Sequence, residues 1–398
     1  MRKMYIARKI MLLPTKEQEK YFWKATRISR FIYNWYIAIN QPYLNFEENA
    51  KFIHQIEANK ALTLFKKLPQ FSFLNEVASR VCKQTIIDGY NNIQRYLNKL
   101  SKKPKFKSAK RSRPSFYVNY ETFHKTQNGC YIEKLGNVKT VEQLPKISCK
   151  HYSKPYVVYE NNHWYITFTY EIEDKKIKNK GKSIGIDLGI KDLAITSYHK
   201  KYKNINKHPK MKRIEKKIKR KQRKLQRQRD ANKNKTIEEV IVDENGDEVI
   251  SKRKKKLSEC KNYQKTRKAI QLLYRKQKNI RENHIYLIIN EIVRTKPSRI
   301  VMETLYPHRL MKNKYLAKSI QEAKWRFFIN HIKNKCKRYG IEFVQADQFF
   351  PSTQKCNKCG NVKKGKEKLK LDQRVYRCFV CGNVIDRDIN ASINLAKY

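Results

Sequence analysis

Four of the nine cysteines in this 398-residue chain fall into two close pairs, Cys356-x-x-Cys359 and Cys378-x-x-Cys381, with 18 residues between the pairs. Thiolates at this spacing suit a tetrahedral zinc ion, and Gly360 and Gly382, one after each pair, suit the turn of a metal-binding knuckle. A four-thiolate zinc site has no open position, so it orders a module and does not itself run a reaction. Carboxylates supply the second candidate chemistry. Ser183 to Asp187 reads SIGID and Arg299 to Glu303 reads RIVME, each an apolar run closing on an acid, while DRDIN at Asp386 to Asn390 opens the last segment. A carboxylate ending a buried strand needs a cation or a structural partner. Singly, such an acid is more often a cap or a surface residue. Together, Asp187, Glu303 and the Asp386/Asp388 pair form a set of hard oxygen donors suited to Mg²⁺, which keeps several waters and needs only a few carboxylates. Two such ions about 4 Å apart can stabilise the attacking and the leaving oxygen when a phosphodiester is hydrolysed.

The elements that must carry these groups can be read from periodicity. SIGID is a buried strand, Gly189 lies in a tight turn, and Asp192 to Ser197 (DLAITS) returns as a second strand. RIVME is another strand, and Ile389, Ile393 and Leu395-Ala396 recur at helical spacing after the final acids. The order strand acid, strand acid, helix-start acid matches the carboxylate cluster of RNase H-like nucleases. Between the first two acids, Lys210 to Lys235 carries fourteen Lys and Arg against Glu215 and Asp230, with Met211, Ile214, Ile218 and Leu225 as a thin apolar seam. This predicts a basic helix facing nucleic acid. Thr236 to Ser251 then holds six acids, with Asn245-Gly246 between VIVDE and DEVI, a hairpin signal in a surface insertion. Helical periodicity resumes over Lys261 to Val293 and leads into RIVME.

The amino-terminal half reads differently. Lys3 to Ile10 alternates apolar and basic residues as a strand does, and Thr15 with Gln18 forms a capping box before a helix whose stripe runs from Phe22 to Ile39. Helices continue to about Leu100. Lys102 to Arg113, KKPKFKSAKRSR, is a basic irregular run suited to phosphate contacts. Strands are expected at Ser115 to Tyr120, Lys146 to Cys149, Tyr156 to Tyr159 and Trp164 to Ile172, the last two joined by a hairpin turn at Glu160 to His163. Asp174 to Lys182 is a linker.

Composition limits the partners. Forty per cent hydrophobic residues allow a sizeable core, and ninety-one Lys and Arg against thirty-five Asp and Glu leave a formal net charge of +56. Such a field attracts polyanions, so nucleic acid is the expected partner. No apolar run approaches the ~20 residues of a membrane span, and the N-terminus lacks the apolar stretch of a signal peptide. We expect a cytoplasmic protein without a membrane partner. Cys82, Cys130, Cys149, Cys260 and Cys336 are scattered and read as small apolar fillers.

The succession LPTKEQEKYFWKATRISRFIYNWYI, PKFKSAKRSRPSF, GIDLGIKDLAITS, VMETL, FFPSTQKCNKCG, the second CxxCG and DRDINASINLAK resembles the TnpB proteins of bacterial insertion sequences over nearly the whole chain. The miniature type V CRISPR effectors are relatives of that family. The resemblance implies a multidomain α+β protein. A wedge β-barrel would span 1–13 and 105–175, interrupted by a helical recognition lobe at 14–104. An RNase H-like, RuvC-type nuclease would span 183–352 and 384–398, with a zinc ribbon inserted at 353–383. It implies catalytic metal ligands at Asp187, Glu303 and Asp388, the last because the family acid directly precedes x-Asn-Ala, with Asp386 as an auxiliary. It also implies Mg²⁺, two ions bridged by Asp187, structural Zn²⁺ on Cys356, Cys359, Cys378 and Cys381, and a guide RNA. The activity implied is RNA-guided, metal-dependent endonuclease cleavage of double-stranded DNA beside a short flanking motif. Alternatives are a nuclease-inactive guided DNA-binding regulator, a miniature CRISPR effector and a guide-independent RuvC-type resolvase. The acidic hairpin departs from the family pattern, and ETL stands where ENL is frequent.

Overall fold

The computed structural model describes residues 4–147, 152–172, 181–242, 248–370 and 372–398. Two compact units divide the chain, Met1–Glu173 and Asp174–Tyr398. In the first, β1 (Met4–Leu13) leads into α1 (Lys16–Ile39), followed by α2 (Gln41–Leu44), α3 (Gln55–Phe65) and α4 (Ser79–Leu97). The capping box starts α1 as expected: the Gln18 N–H donates to Thr15 Oγ1 at 3.2 Å, and the Thr15 N–H donates to the Gln18 side chain at 3.1 Å. Six further strands follow: β2 (Ser115–Tyr117), β3 (His124–Lys125), β4 (Gly129–Ile132), β5 (Gly136–Thr140), β6 (Ser153–Glu160) and β7 (His163–Ile172).

These strands form one antiparallel sheet in the order β2-β6-β7-β1-β5-β4-β3. Strand β1 crosses from one ladder to the next, pairing with β7 over Met4 to Met11 and with β5 at Leu12 and Leu13. The β6–β7 hairpin turns at Asn161 and Asn162, both at positive φ, the conformation its two-residue loop requires. Buried Phe22, Phe116, Trp164 and Phe168 fuse α1 to this sheet. The basic run after α4 is irregular but not loose, because the Asn34 carboxamide on α1 accepts from the Lys107 N–H at 2.7 Å and donates to its carbonyl at 2.9 Å. Strands β3, β4 and β5 lie outside the segments expected to be strands. Of the strand expected at Lys146 to Cys149, the first two residues are irregular and the rest lie outside the described residues, as does most of the linker at 174–182.

The second unit begins with β8 (Ile184–Asp187), β9 (Asp192–Thr196) and β10 (Lys201–Lys203), then α5 (Pro209–Ala231), the hairpin β11 (Thr236–Val242) and β12 (Glu248–Lys254), and α6 (Lys261–Arg294). Next come β13 (Arg299–Glu303), α7 (Pro307–Leu310), α8 (Lys314–Ala323), α9 (Trp325–Tyr339) and β14 (Glu342–Ala346). The chain ends with β15 (Val375–Arg377), β16 (Val384–Asp386) and α10 (Arg387–Ala396). Five strands form a mixed sheet, β10-β9-β8-β13-β14, in which β8, β13 and β14 run parallel.

Alternation along β8 and β13 divides the two faces of this sheet. Ile184, Ile186, Ile300 and Met302 join the apolar cluster built with Ile288 and Ile292 of α6 and Phe328 of α9. Val301 faces the other way, against Leu395 of α10. The basic helix buries Met211, Ile214 and Ile218 of its N-terminal half against α6, and beyond them Gln222 donates to the Tyr274 hydroxyl of α6 at 3.0 Å. The antiparallel pair β15–β16 carries the second cysteine knuckle between its strands. Cys82, Cys130, Cys260 and Cys336 are buried, as fillers should be, and Cys149 lies outside the described residues. No described helix is long and apolar enough to cross a membrane.

Candidate active site

Strand register sets two of the acids side by side. Val301 pairs with Gly185 and Met302 with Ile186, so Glu303 and Asp187 each stand one residue beyond the last pair, at the carboxyl ends of adjacent parallel strands. Period-two alternation then places Gly185, Asp187, Val301 and Glu303 on one face. Helix α10 packs on that face. A Cβ on Gly185 would sit 1.9 Å from the Ser392 carbonyl oxygen and 2.4 Å from the Ala396 nitrogen, so only glycine admits the helix this closely. The first turn of α10 carries Asp388.

Asp187 feels the other two carboxylates. Burial pushes the Asp187 carboxyl up to about 7, and the negative charges of Asp388 and Glu303 push the same way, against the weaker pull of Arg387 and the Leu188 N–H. Burial also raises Glu303. Asp388 is partly compensated: its Oδ1 accepts from Arg387 Nε at 3.2 Å, and its Oδ2 lies 3.7 Å from Arg374 Nη1. Asp386 has other work. Its Oδ1 accepts from the N–H groups of Asp388 and Ile389 at 3.0 and 3.1 Å, capping α10, and Lys201 donates to its Oδ2 at 2.6 Å. Burial opposes ionisation of Asp386, but Lys201 and these N–H groups outweigh it and hold its carboxyl below the usual range.

The four cysteines meet as their spacing predicts. Their sulfurs all lie within 4.8 Å of one another, with Cys356 Sγ 3.7 Å from Cys381 Sγ and Cys359 Sγ 3.5 Å from Cys378 Sγ. Among the described residues this is the one group of three or more metal-ligating side chains gathered so tightly. Burial disfavours the Cys356 thiolate, yet the N–H groups of Cys359 and Lys358 and the Asn383 carboxamide bring its thiol down to about 6. The Asn361 N–H favours the Cys359 thiolate, but burial and the three neighbouring sulfurs push that thiol up. Four thiols in such conflict fit a divalent cation.

Arg374, which reaches Asp388, also lines an open groove with Lys363, Lys366, Lys368, Lys370 and Arg377. Neither Arg374 nor Gly185 was singled out from the sequence. A lone arginine in a chain this basic carries no signal, whereas a glycine inside an apolar strand is a recognised sign of close backbone approach.

The comparisons follow the same order along the chain. Residues 1–47 match a model described as "Helix-turn-helix domain", residues 167–241 one described as "Probable transposase", and residues 325–395 one described as "Cas12f1-like, TNB domain". A Streptomyces pristinaespiralis protein described as "Putative RNA-guided DNA endonuclease" is 27% identical over 394 residues, covering 97% of this chain and 87% of that protein. The mimivirus "TnpB-like protein L79" is 24% identical over 98% of this chain and 72% of its own length. A Methanocaldococcus jannaschii protein described as "Putative transposase" is 34% identical over 74 residues, covering 18% of this chain and 67% of that protein. Among solved structures, the Cas12f1-sgRNA-target DNA complex aligns with a TM-score of 0.53 at 14% identity, covering 96% of this chain and 83% of that one, a likeness of fold. The first model covers β1, α1 and α2, the second the Asp187 strand and the third both cysteine pairs and Asp388, and relatives align over almost the whole of this chain: the chain belongs to the TnpB family.

Proposed function

We propose that this chain is an RNA-guided DNA endonuclease that hydrolyses phosphodiester bonds at Asp187, Glu303 and Asp388. The observation that carries this reading is the single face on which strands β8 and β13 and helix α10 deliver three acids, one with its carboxyl held near 7 by burial and its neighbours' charges. Relatives described as RNA-guided DNA endonucleases support it. The mixed five-stranded sheet with an acid-bearing helix on one face supports an RNase H-like, RuvC-type core at 183–352 and 384–398, and the cysteine knuckles a zinc ribbon at 353–383. The course of β1 across two ladders supports a wedge barrel of 1–13 and 105–175 around a recognition lobe at 14–104.

Three carboxylates on one face, with Asp388 partly compensated by Arg387 and Arg374, fit Mg²⁺ held by Asp187, Glu303 and Asp388. Bound there, Mg²⁺ would supply positive charge to the attacking and the departing oxygen. The chain's own residues hold the carboxylates on one face and keep Asp386 occupied as a cap. Arg374 and the groove lysines attract the phosphate backbone of a strand up to the acids. Zn²⁺ on Cys356, Cys359, Cys378 and Cys381 would order the two knuckles. A further cavity, lined by Arg27, Arg30, Lys107 and Arg113, supplies basic surface in the first unit. Guide RNA would pair with the target while the protein reads heteroduplex shape and a short flanking motif.

All three acids being present disfavours a nuclease-inactive regulator. The test is to purify the protein with its RNA, sequence that RNA, and offer linear double-stranded DNA matching it behind a randomised flank. Cleavage that requires the RNA match, Mg²⁺ and all three acids is expected. Cutting that ignores the RNA, or tight guided binding with no cutting, would overturn the proposal.

A further inference from the structure

Helix α10 is held on its other side by two asparagines that the acid site does not use. Asn390 and Asn394 stand one turn apart, 0% and 2% exposed. The Asn390 side chain accepts from the Asn357 N–H at 3.0 Å and donates to the Lys355 carbonyl at 2.7 Å. Asn394 donates to the same Lys355 carbonyl at 2.6 Å and to that of Ser352 at 2.9 Å. Lys355 and Asn357 flank Cys356. Both asparagines therefore bind the backbone of the first cysteine knuckle, whose shape is closed by the Cys356 N–H donating to the Asn361 carbonyl at 2.8 Å. The knuckles are joined in turn by Asn383, which follows the second pair and donates to Asn357 Oδ1 at 2.7 Å.

We infer that Asn390 and Asn394 are positioning residues that make the seat of α10, and with it Asp388, depend on metal at the four cysteines. A buried carboxamide keeps its place only while its partners keep theirs. With metal present, the Cys356 knuckle presents the Lys355 carbonyl and the Asn357 N–H in fixed directions, and the asparagines lock α10 to them. Without metal the knuckle relaxes, the two carboxamides lose their partners, and α10 loosens. Asp388 sits two residues before Asn390, so its carboxylate leaves the Asp187–Glu303 edge. The catalytic consequence rests on the nuclease reading above; the coupling of cysteine cluster to helix does not.

The test is hydrogen exchange at residues 387–396 of the full-length protein, zinc-loaded and after zinc is stripped by a chelator, with metal content measured in each sample. Stripping should speed exchange there by about tenfold or more. Zinc-loaded Asn390→Ala and Asn394→Ala should each keep one zinc per chain yet exchange over 387–396 as fast as stripped wild type, with no further response to the chelator. Single-turnover cleavage should fall about a hundredfold in the same samples. Unchanged protection of α10 in stripped wild type overturns the inference, and this arm decides alone should the variants fail to fold. Variants that keep both protection and its response to stripping also overturn it. Protein that loses cleavage on stripping while α10 stays protected refutes the coupling and leaves the nuclease reading standing. A helix that loosens as expected in protein that cuts no DNA in any form supports the coupling and refutes that reading.

Discussion

Replacing Gly185 with alanine tests how tightly the acid site depends on the seat of α10. The added Cβ would lie 1.9 Å from the Ser392 carbonyl oxygen, 2.4 Å from the Ala396 nitrogen and 2.9 Å from Leu395 Cβ. Two of these are helix backbone, so no rotamer change relieves the clash. Retreat to even 3.0 Å, which real Cβ atoms essentially never undercut, moves the helix by about 1.1 Å. Overpacking of this kind costs about 1–3 kcal/mol of stability, well short of unfolding an ordinary domain. Asp388 rides on the same helix, one turn before Ser392, while Asp187 stays on the strand that pushes it away. A 1 Å misplacement at a reaction centre costs on the order of a hundredfold in rate. Gly185→Ala should therefore fold, bind RNA and DNA almost as wild type does, and cleave about a hundred times more slowly in single-turnover assays at saturating DNA. A folded Gly185→Ala protein cutting within threefold of wild type would refute the reasoning, because the carboxylates could then tolerate a displacement that the backbone geometry makes unavoidable.

Other outcomes follow from the same geometry. Asp187→Ala, Glu303→Ala and Asp388→Ala should each cut cleavage at least about a thousandfold with DNA affinity kept within a few fold; Asp386→Ala, which loses a helix cap, should cost about 1 kcal/mol of stability and only part of the rate, and a dead Asp386→Ala beside an active Asp388→Ala would assign the metal to Asp386 instead. Without added divalent metal, wild type should lose stability as pH rises from about 4 to about 7, because the folded Asp187 carboxyl stays protonated up to about 7. Asp187→Asn should remove that slope and be the more stable protein at pH 8, by up to about 4 kcal/mol and less where water reaches the group; melting temperatures across this range decide it, in buffer without chelator so that the cysteines keep their metal. Helix α5 has a buried seam only as far as Ile218, and like charges recur at i,i+4 beyond it, as at Arg220 and Lys224. Hydrogen exchange should show 221–231 frayed in the free protein and protected with RNA bound, and equal strong protection in both states would count against a nucleic-acid-facing role.

The features legible in the sequence are those whose physics is local. Knuckle spacing is set by a single metal's ligand geometry, so the two Cys-x-x-Cys pairs announce a site that the fold then closes to within 4.8 Å. SIGID and RIVME were readable as strands because an apolar run of that length ending in an acid has few other uses. Strands β4 and β5 are no shorter than β8 and β13, but GCYI and GNVKT lack a clear apolar run or alternation, and with a hairpin at Lys134 and Gly136, both at positive φ, they do not stand out from loop. Adjacent acids posed a harder problem. Both Asp386 and Asp388 precede the last helix, and only the family resemblance favoured Asp388. The structure adds an independent physical ground: a carboxylate already accepting from two helix N–H groups and pairing with Lys201 has little capacity left for a metal.

Asn390 and Asn394 mark where sequence reading reaches its limit. In a linear reading they are two polar residues in a short amphipathic helix, a pattern that favours a solvent-facing assignment. Their burial becomes intelligible only when Lys355 and Asn357, more than thirty residues upstream, arrive to satisfy them. The same holds for Gly185, whose missing side chain matters because of a helix two hundred residues away. An acid site assembled from three distant segments cannot be placed by the segments themselves. Here α10 is fixed between a strand that admits it only as glycine and a knuckle that engages its buried carboxamides. Loosening either side should displace Asp388 without touching Asp187 or Glu303, so Gly185→Ala and loss of cysteine-bound metal should impair the same step, and combining them should cost less than the product of the two effects.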